Sequence, residues 1–460
     1  MLTQKKSVAF KAGMTWPAER LTLLRQFSLK VAALKVTAVL AVFSALVGSR
    51  SSFSQWNFSE LKVLQSYPAP FSDEIFPMVW TSIQQSISGV KKIAGAKEDR
   101  VSVPGFLDEL PYLQAFQRDE HGLLKKADLV VMVNGFFEDH HGDLDAADVY
   151  YQLGYHVAVI PTSLTEVYAK ASPREFKPGN LYDESRLTIE IIEQIKNVEL
   201  GKEKVTQTHY WGTSWGATNG LIMRSRDEQS RAPVVDGKYF LVAPILNVDF
   251  GVHAFDSLIQ SFCDNYKSKP IAHFFNALTV LRKVKQNDSP ETILDQSDLH
   301  SRELVGGYVL NRLKNIIKVL EKKLGQQLLG YQRVHERNRS RLRLGSKYLL
   351  APRARRVRIH YPSGKPFSCI KLDDVLTYSY PVVQSQYKSI EGKMRYWLNS
   401  VDEINATSDV KIFFSADDPI LDPKEMKFFR NDRRVHILKD GGHLGFTEMD
   451  WYKDLLEEVF

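Results

Sequence analysis

One stretch of the chain constrains its fold more than any other. Val205–Trp211, a run of β-forming residues, passes through Gly212-Thr213-Ser214-Trp215-Gly216 directly into the helix-forming run Ala217–Arg224. A Gly-x-Ser-x-Gly pattern is weak by itself, because glycine and serine crowd any ordinary turn. Between a buried strand and a helix it becomes a demand on geometry. A serine at such a junction takes a strained backbone conformation that exposes its hydroxyl at the edge of a sheet. The flanking backbones then approach too closely for side chains, which explains a glycine two residues to either side. Ala217 and Gly220 keep the helix tight against the strand. A chance Gly-Ser turn, the bland alternative, leaves that coincidence unexplained.

The surrounding pattern repeats the same alternation. Leu129–Val133 is a short apolar run ending in Asn134–Gly135, which predicts a buried strand and a turn. Ala146–Leu153 reads as helix and Tyr155–Pro161 as a second buried strand. Arg186–Ile195 spaces Leu187, Ile189, Ile191, Ile192 and Ile195 for a helix, and Tyr239–Ala243 follows as another strand. Strands alternating with helices predict an α/β fold with a mostly parallel, doubly wound sheet. Residues 50–128 show no strong period. They are expected to hold the first strands, with loop-rich material at Phe71–Pro77 and Val103–Pro111. Residues 251–408 read as helical, with no convincing run of sheet strands. There Ser301–Gly330 places Val309, Leu313, Ile316, Leu320, Leu324 and Leu328 on one face. Val410–Phe414 and Val435–Leu438 read as strands, and Asp450–Val459 as a closing helix. The expected organisation is a leader at 1–49, a core at 50–250 and 409–460, and a helical cap inserted at 251–408. No repeat of solenoid length is visible.

A serine hydroxyl is a poor nucleophile at neutral pH and needs a base to take its proton. Of twelve histidines, His443 lies in Gly441-Gly442-His443-Leu444-Gly445-Phe446, a glycine-rich loop that can carry an imidazole over the sheet edge. His436 falls within a strand and reads as structural; His253 is a further alternative. The acid that orients the imidazole is expected in Ser415-Ala416-Asp417-Asp418-Pro419, after the strand Val410–Phe414. Asp418 is preferred, with Asp417 and then Asp422 as alternatives. An oxyanion needs preorganised N–H donors. One is expected from the backbone of Trp215, the other from Asn134-Gly135-Phe136-Phe137, with Phe136 preferred. The order Ser214, Asp418, His443 differs from that of the other serine-protease folds.

On these residues the chain resembles the α/β-hydrolase superfamily over 128–250 and 409–460. Its Asp417-Asp418-Pro419 and Gly441-Gly442-His443-x-Gly445-Phe446 elements are similar to the esterase branch of YheT-like, acylglycerol and phospholipid hydrolases. The resemblance implies a Ser–Asp–His triad, a carboxylic-ester substrate, small or lipid, and neither cofactor nor metal. The chain departs from that branch in having Asn134-Gly135 where His-Gly is common, and in the length of its insertion. Acyl transfer to an alcohol other than water would use the same residues. A non-catalytic relative binding an anionic surface is the alternative from another class.

Charge bears on partners and location. The formal net charge of +7 is concentrated in two places. Residues 1–49 carry seven Lys and Arg against Glu19, and 331–365 carry eleven against Glu336, so the rest of the chain is acidic. Val36–Gly48 has no charge and follows the first basic stretch, as in a signal peptide, more ordinary still if translation starts at Met14. Export is therefore expected, with a retained anchor as the alternative. The basic segment 331–365 reads as a solvated loop or as a surface for anionic lipid; nucleic acid is not expected. Cys263 and Cys369 could form one bridge or remain two buried thiols.

Overall fold

The computed structural model describes residues 63–64, 93–268 (apart from 137, 177 and 228–231), 301–324, 333–335, 357–359, 372, 410–426, 434–439, 441–444, 447 and 450–459. The leader 1–49, Phe71–Pro77, Cys369 and most of the basic segment 331–365 lie outside them.

Nine strands form one sheet. In chain order these are β1 (Val63–Leu64), β2 (Lys97–Val101), β3 (Leu110–Ala115), β4 (Ala127–Val133), β5 (His156–Ile160), β6 (Val205–Thr213) and β7 (Tyr239–Val242). After the short antiparallel pair β8 (Arg333–His335) and β9 (Val357–Ile359), which stands apart, come β10 (Val410–Ser415) and β11 (Val435–Leu438). The spatial order is β1-β11-β10-β7-β6-β4-β5-β3-β2. Only β3 runs against its neighbours; the other pairings are parallel. Parallel strands need crossovers, and helices supply them: α1 (Leu144–Gln152), α2 (Glu166–Ala171), α3 (Leu181–Gln194) and α4 (Trp215–Asp227). The central strands are buried on both faces, as their unbroken apolar runs require: every residue of β5 and β7 is buried, as are the last five of β4.

One strand departs from the sequence expectation. Leu110 and Pro111 belong to β3 rather than to a loop. Pro111 is tolerated because it pairs with Arg100 of β2, while pairing with β5 begins only at Leu113, so no bond to β5 is lost at the proline. Beyond α3, residues Ile195–Gly201 form a π-helical turn before β6.

Two long helices follow β7 and its loop: α5 (Val248–Ser268) and α6 (Ser301–Leu324). Helix α5 runs across the boundary expected at 250/251. The stripe on α6 is buried at Val309, Leu313, Ile316 and Leu320; Leu328 lies outside the described residues. The two backbones touch at Gly306, where a Cβ would fall 2.0 Å from the Leu258 carbonyl oxygen. Arg312, on the same helix, turns inward: its Nε donates to the Tyr308 hydroxyl at 3.3 Å. The chain ends with α7 (Pro423–Met426) and α8 (Asp450–Val459), and α8 packs on α1.

Candidate active site

Ser214 occupies the single residue between β6 and α4, with φ of 50°. A left-handed conformation is costly for a residue with a Cβ and persists only where neighbours enforce it. Here Ser214 N–H donates to the Val242 carbonyl at 2.7 Å, and the Tyr210 hydroxyl donates to the Gly216 carbonyl, also at 2.7 Å. The glycine at 216 is a steric requirement, because a Cβ there would lie 2.0 Å from the Val133 carbonyl oxygen. At 212 a Cβ would lie 2.8 Å from the Gly216 backbone.

The two residues assigned from the C-terminal part arrive at the same sheet edge. His443 Nε2 is 2.8 Å from Ser214 Oγ, and its Nδ1 is 2.7 Å from Asp418 Oδ2. The serine is 2% exposed, the histidine 3% and the aspartate 6%. A carboxylate can only accept, so Nδ1–H donates to Asp418 and Nε2 keeps its lone pair for the serine proton. The second carboxylate oxygen, Oδ1, accepts from the Ile420 backbone N–H at 3.0 Å.

The competing candidates have other partners. Asp417 accepts from Gly441 N–H at 3.1 Å and Gly442 N–H at 2.9 Å, and so holds the loop that carries His443. Burial pushes the Asp417 carboxyl up to about 6, against those two N–H groups, which pull it down. Asp422 accepts from Asn247 Nδ2 at 2.7 Å. His436 stacks on Phe413 with ring centroids 4.5 Å apart, and His253 is exposed on α5, donating to the Asp249 carbonyl.

Phe136 and Trp215 flank the serine. Trp215 is the first residue of α4, so its N–H is among those no intrahelical carbonyl can take. The loop holding Phe136 reaches the serine through Gly135, where a Cβ would stand 3.1 Å from Ser214 Cβ. The Phe136 and Trp215 rings stack at 4.5 Å, and Phe255 of α5 meets Phe136 edge-on at 5.2 Å. Asn134, fully buried, braces this loop by donating from Nδ2 to the Asp139 carbonyl at 2.9 Å.

Sequence reasoning missed Glu184. It is 1% exposed on α3 and accepts from Trp215 Nε1 at 2.9 Å and from Ser163 Oγ at 2.6 Å. Burial raises its carboxyl to about 7. The available signal was a carboxylate at helical spacing with Leu187, Thr188, Ile191 and Ile192, all buried.

The cavity at Ser214 and His443, partly open to solvent, is lined by Phe255 of α5 and by Val305, Tyr308 and Val309 of α6. Its volume is about 30 Å³, where roughly 10–15 Å³ suffices for one water molecule.

A strained serine between a parallel strand and a helix, with His and Asp delivered from later strands of the same sheet, defines the α/β-hydrolase fold. No protein-family model and no curated protein matches the sequence. Among solved structures the chain is similar to a bacterial membrane phospholipase A described as a virulence factor, at 15% identity, over 83% of this chain and 92% of that one, with a TM-score of 0.40. It is similar to the Cif epoxide hydrolase of Acinetobacter nosocomialis at 12% identity, over 87% and 99% of the two chains, with a TM-score of 0.39. Against EstE1, a thermostable carboxylesterase cloned from a metagenomic library, the match spans 37% of this chain and 58% of the other, at 14% identity and a TM-score of 0.28.

Proposed function

We propose that the protein is a serine hydrolase that cleaves carboxylic esters through an acyl-enzyme on Ser214. The hydrogen-bonded series from Ser214 Oγ through His443 to Asp418, at 2.8 and 2.7 Å, carries this reading. As Ser214 Oγ bonds to the ester carbonyl carbon, His443 Nε2 takes the hydroxyl proton and the carbonyl electron pair moves onto oxygen. The N–H groups of Trp215 and Phe136 stabilise that oxyanion. The C–O bond to the alcohol then breaks, and the imidazolium returns its proton to the departing alkoxide. Water, deprotonated by the same imidazole, releases the acid and restores the serine. Asp418 keeps the imidazole in the Nδ1–H tautomer and stabilises its positive charge.

The apolar lining from α5 and α6 supports an acyl or lipid ester as substrate, admitted when these helices shift. A fluorophosphonate probe, followed by mass spectrometry of the adduct, tests the reading. An adduct on Ser214, lost in His443→Ala, is expected. Absence of any adduct, with detergent or lipid present to open the cap, would overturn the mechanism and favour a non-catalytic binding role.

A further inference from the structure

The loop from Phe136 to α1 carries two consecutive histidines, His140 and His141, facing Glu98 on the edge strand β2. One ligating atom from each of the three lies within 4.8 Å of the others. His140 is 3% exposed, and its Nε2 is 3.5 Å from Glu98 Oε1. His140 Nδ1 and His141 Nδ1 make no hydrogen bond, and His140 Nε2 meets only the Glu98 carboxylate. The two rings lie 4.1 Å apart between centroids. Buried polar atoms are nearly always partnered, so two orphaned imidazole nitrogens in adjacent rings need a physical reason. The His140–Glu98 contact alone leaves Nδ1 of both histidines unanswered.

We propose that Glu98, His140 and His141 bind a divalent first-row transition cation. Two imidazoles and a carboxylate suit zinc, with water as the fourth ligand. Zinc bonds of about 2.0–2.2 Å set ligand atoms roughly 3.4 Å apart. Closing the site therefore requires a small swing, and Glu98, whose side chain is 57% exposed, is free to make it. The consequence is mechanical. Asp139 joins this cluster to Asn134 through its carbonyl and to the His141 N–H through Oδ1, at 2.9 and 3.0 Å. A bound cation would tie residues 134–142, and with them Phe136, to the edge of the sheet. It would take no part in bond breaking.

The test is zinc titration of the chelator-stripped full chain against a competing chromophoric indicator, with thermal unfolding measured with and without zinc. One tight equivalent and a zinc-dependent rise in Tm are expected. His141→Gln should weaken that equivalent at least as much as loss of an outer-shell partner does, roughly 10–100-fold. Glu98→Gln, at an exposed position, guards against misfolding as the explanation and should weaken zinc in the same range. X-ray absorption of the loaded protein should show two imidazoles on the metal. Wild type without a saturable site, or with affinity unchanged in both variants, would overturn the proposal.

Discussion

Glu184 shows how much of the site is decided by single side chains. It stands on the apolar stripe of α3 and holds the indole of Trp215, which stacks on Phe136. Its carboxyl is raised from 4.5 to about 7, so the protonated form is favoured by folding. The stability it contributes is full below pH about 4.5 and is lost as pH rises through about 7. Glu184→Gln should therefore remove about 2–3 kcal/mol of the decline in unfolding free energy between pH 5 and pH 8; urea titrations at both pH values check this, and an unchanged pH slope would refute it. The carboxylates after β10 make a different pair. Asp418→Asn should lower kcat by about 10⁴-fold with little change in KM, as expected when an acid that fixes a tautomer is lost. Asp417→Asn should act chiefly on stability, because its partners are Gly441 and Gly442 rather than the imidazole. Two adjacent aspartates look alike in a sequence. Which one meets His443 depends on how the chain turns after Ser415, and that turn is set by partners from the loop after β11.

At the scale of elements, legibility followed burial. Strands β4, β5 and β7 are largely covered on both faces, so their residues form mainly apolar runs that can be recognised without partners. Strand β2, Lys-Glu-Asp-Arg-Val, is an edge strand with one buried residue, and nothing in its composition marks it as a strand. Pairing with β3 alone makes it one. The junction between β6 and α4 tests this level directly. Gly216→Ala would drive a methyl group into the Val133 carbonyl, and a rigid backbone cannot yield as a side chain would. The expected cost is at the upper end of overpacking, about 3 kcal/mol or more, read as a fall in Tm. Gly135→Ala meets only Ser214 Cβ at 3.1 Å, so it should stay folded while labelling of Ser214 slows. Gly306→Ala should loosen α5 from α6, since its methyl would fall on the Leu258 carbonyl.

In the molecule as a whole, strand order does what no local pattern can. With β10 beside β7 and β11 beyond it, the segments carrying Asp418 and His443 leave the sheet at the edge where Ser214 emerges from β6. The identities of these residues could be read from glycine-rich and Asp-Pro contexts, but their meeting depends on a sheet order set by crossovers. A helical cap at 251–408 was expected from the sequence, but which residues of α5 and α6 line the space beside the serine was not legible, because that depends on how the two helices cross. Phe255, Val305, Tyr308 and Val309 narrow the approach to the serine. Ser214 should therefore react much faster with a methyl-sized phosphonate than with a long-chain one. Val309→Ala should narrow that ratio by enlarging the cavity; a ratio untouched by the change would mean that substrate enters by another route.

The distance along the chain between the serine and its imidazole has a consequence in time. Ser214 and His443 are 229 positions apart. A ribosome adding about 5–20 residues per second needs roughly 10–45 seconds to make the stretch between them. On the proposed mechanism, a nascent chain carries its serine throughout that interval without the base assigned to activate it. Reactivity would then arrive only with β10 and β11, after the strands that precede them have been made.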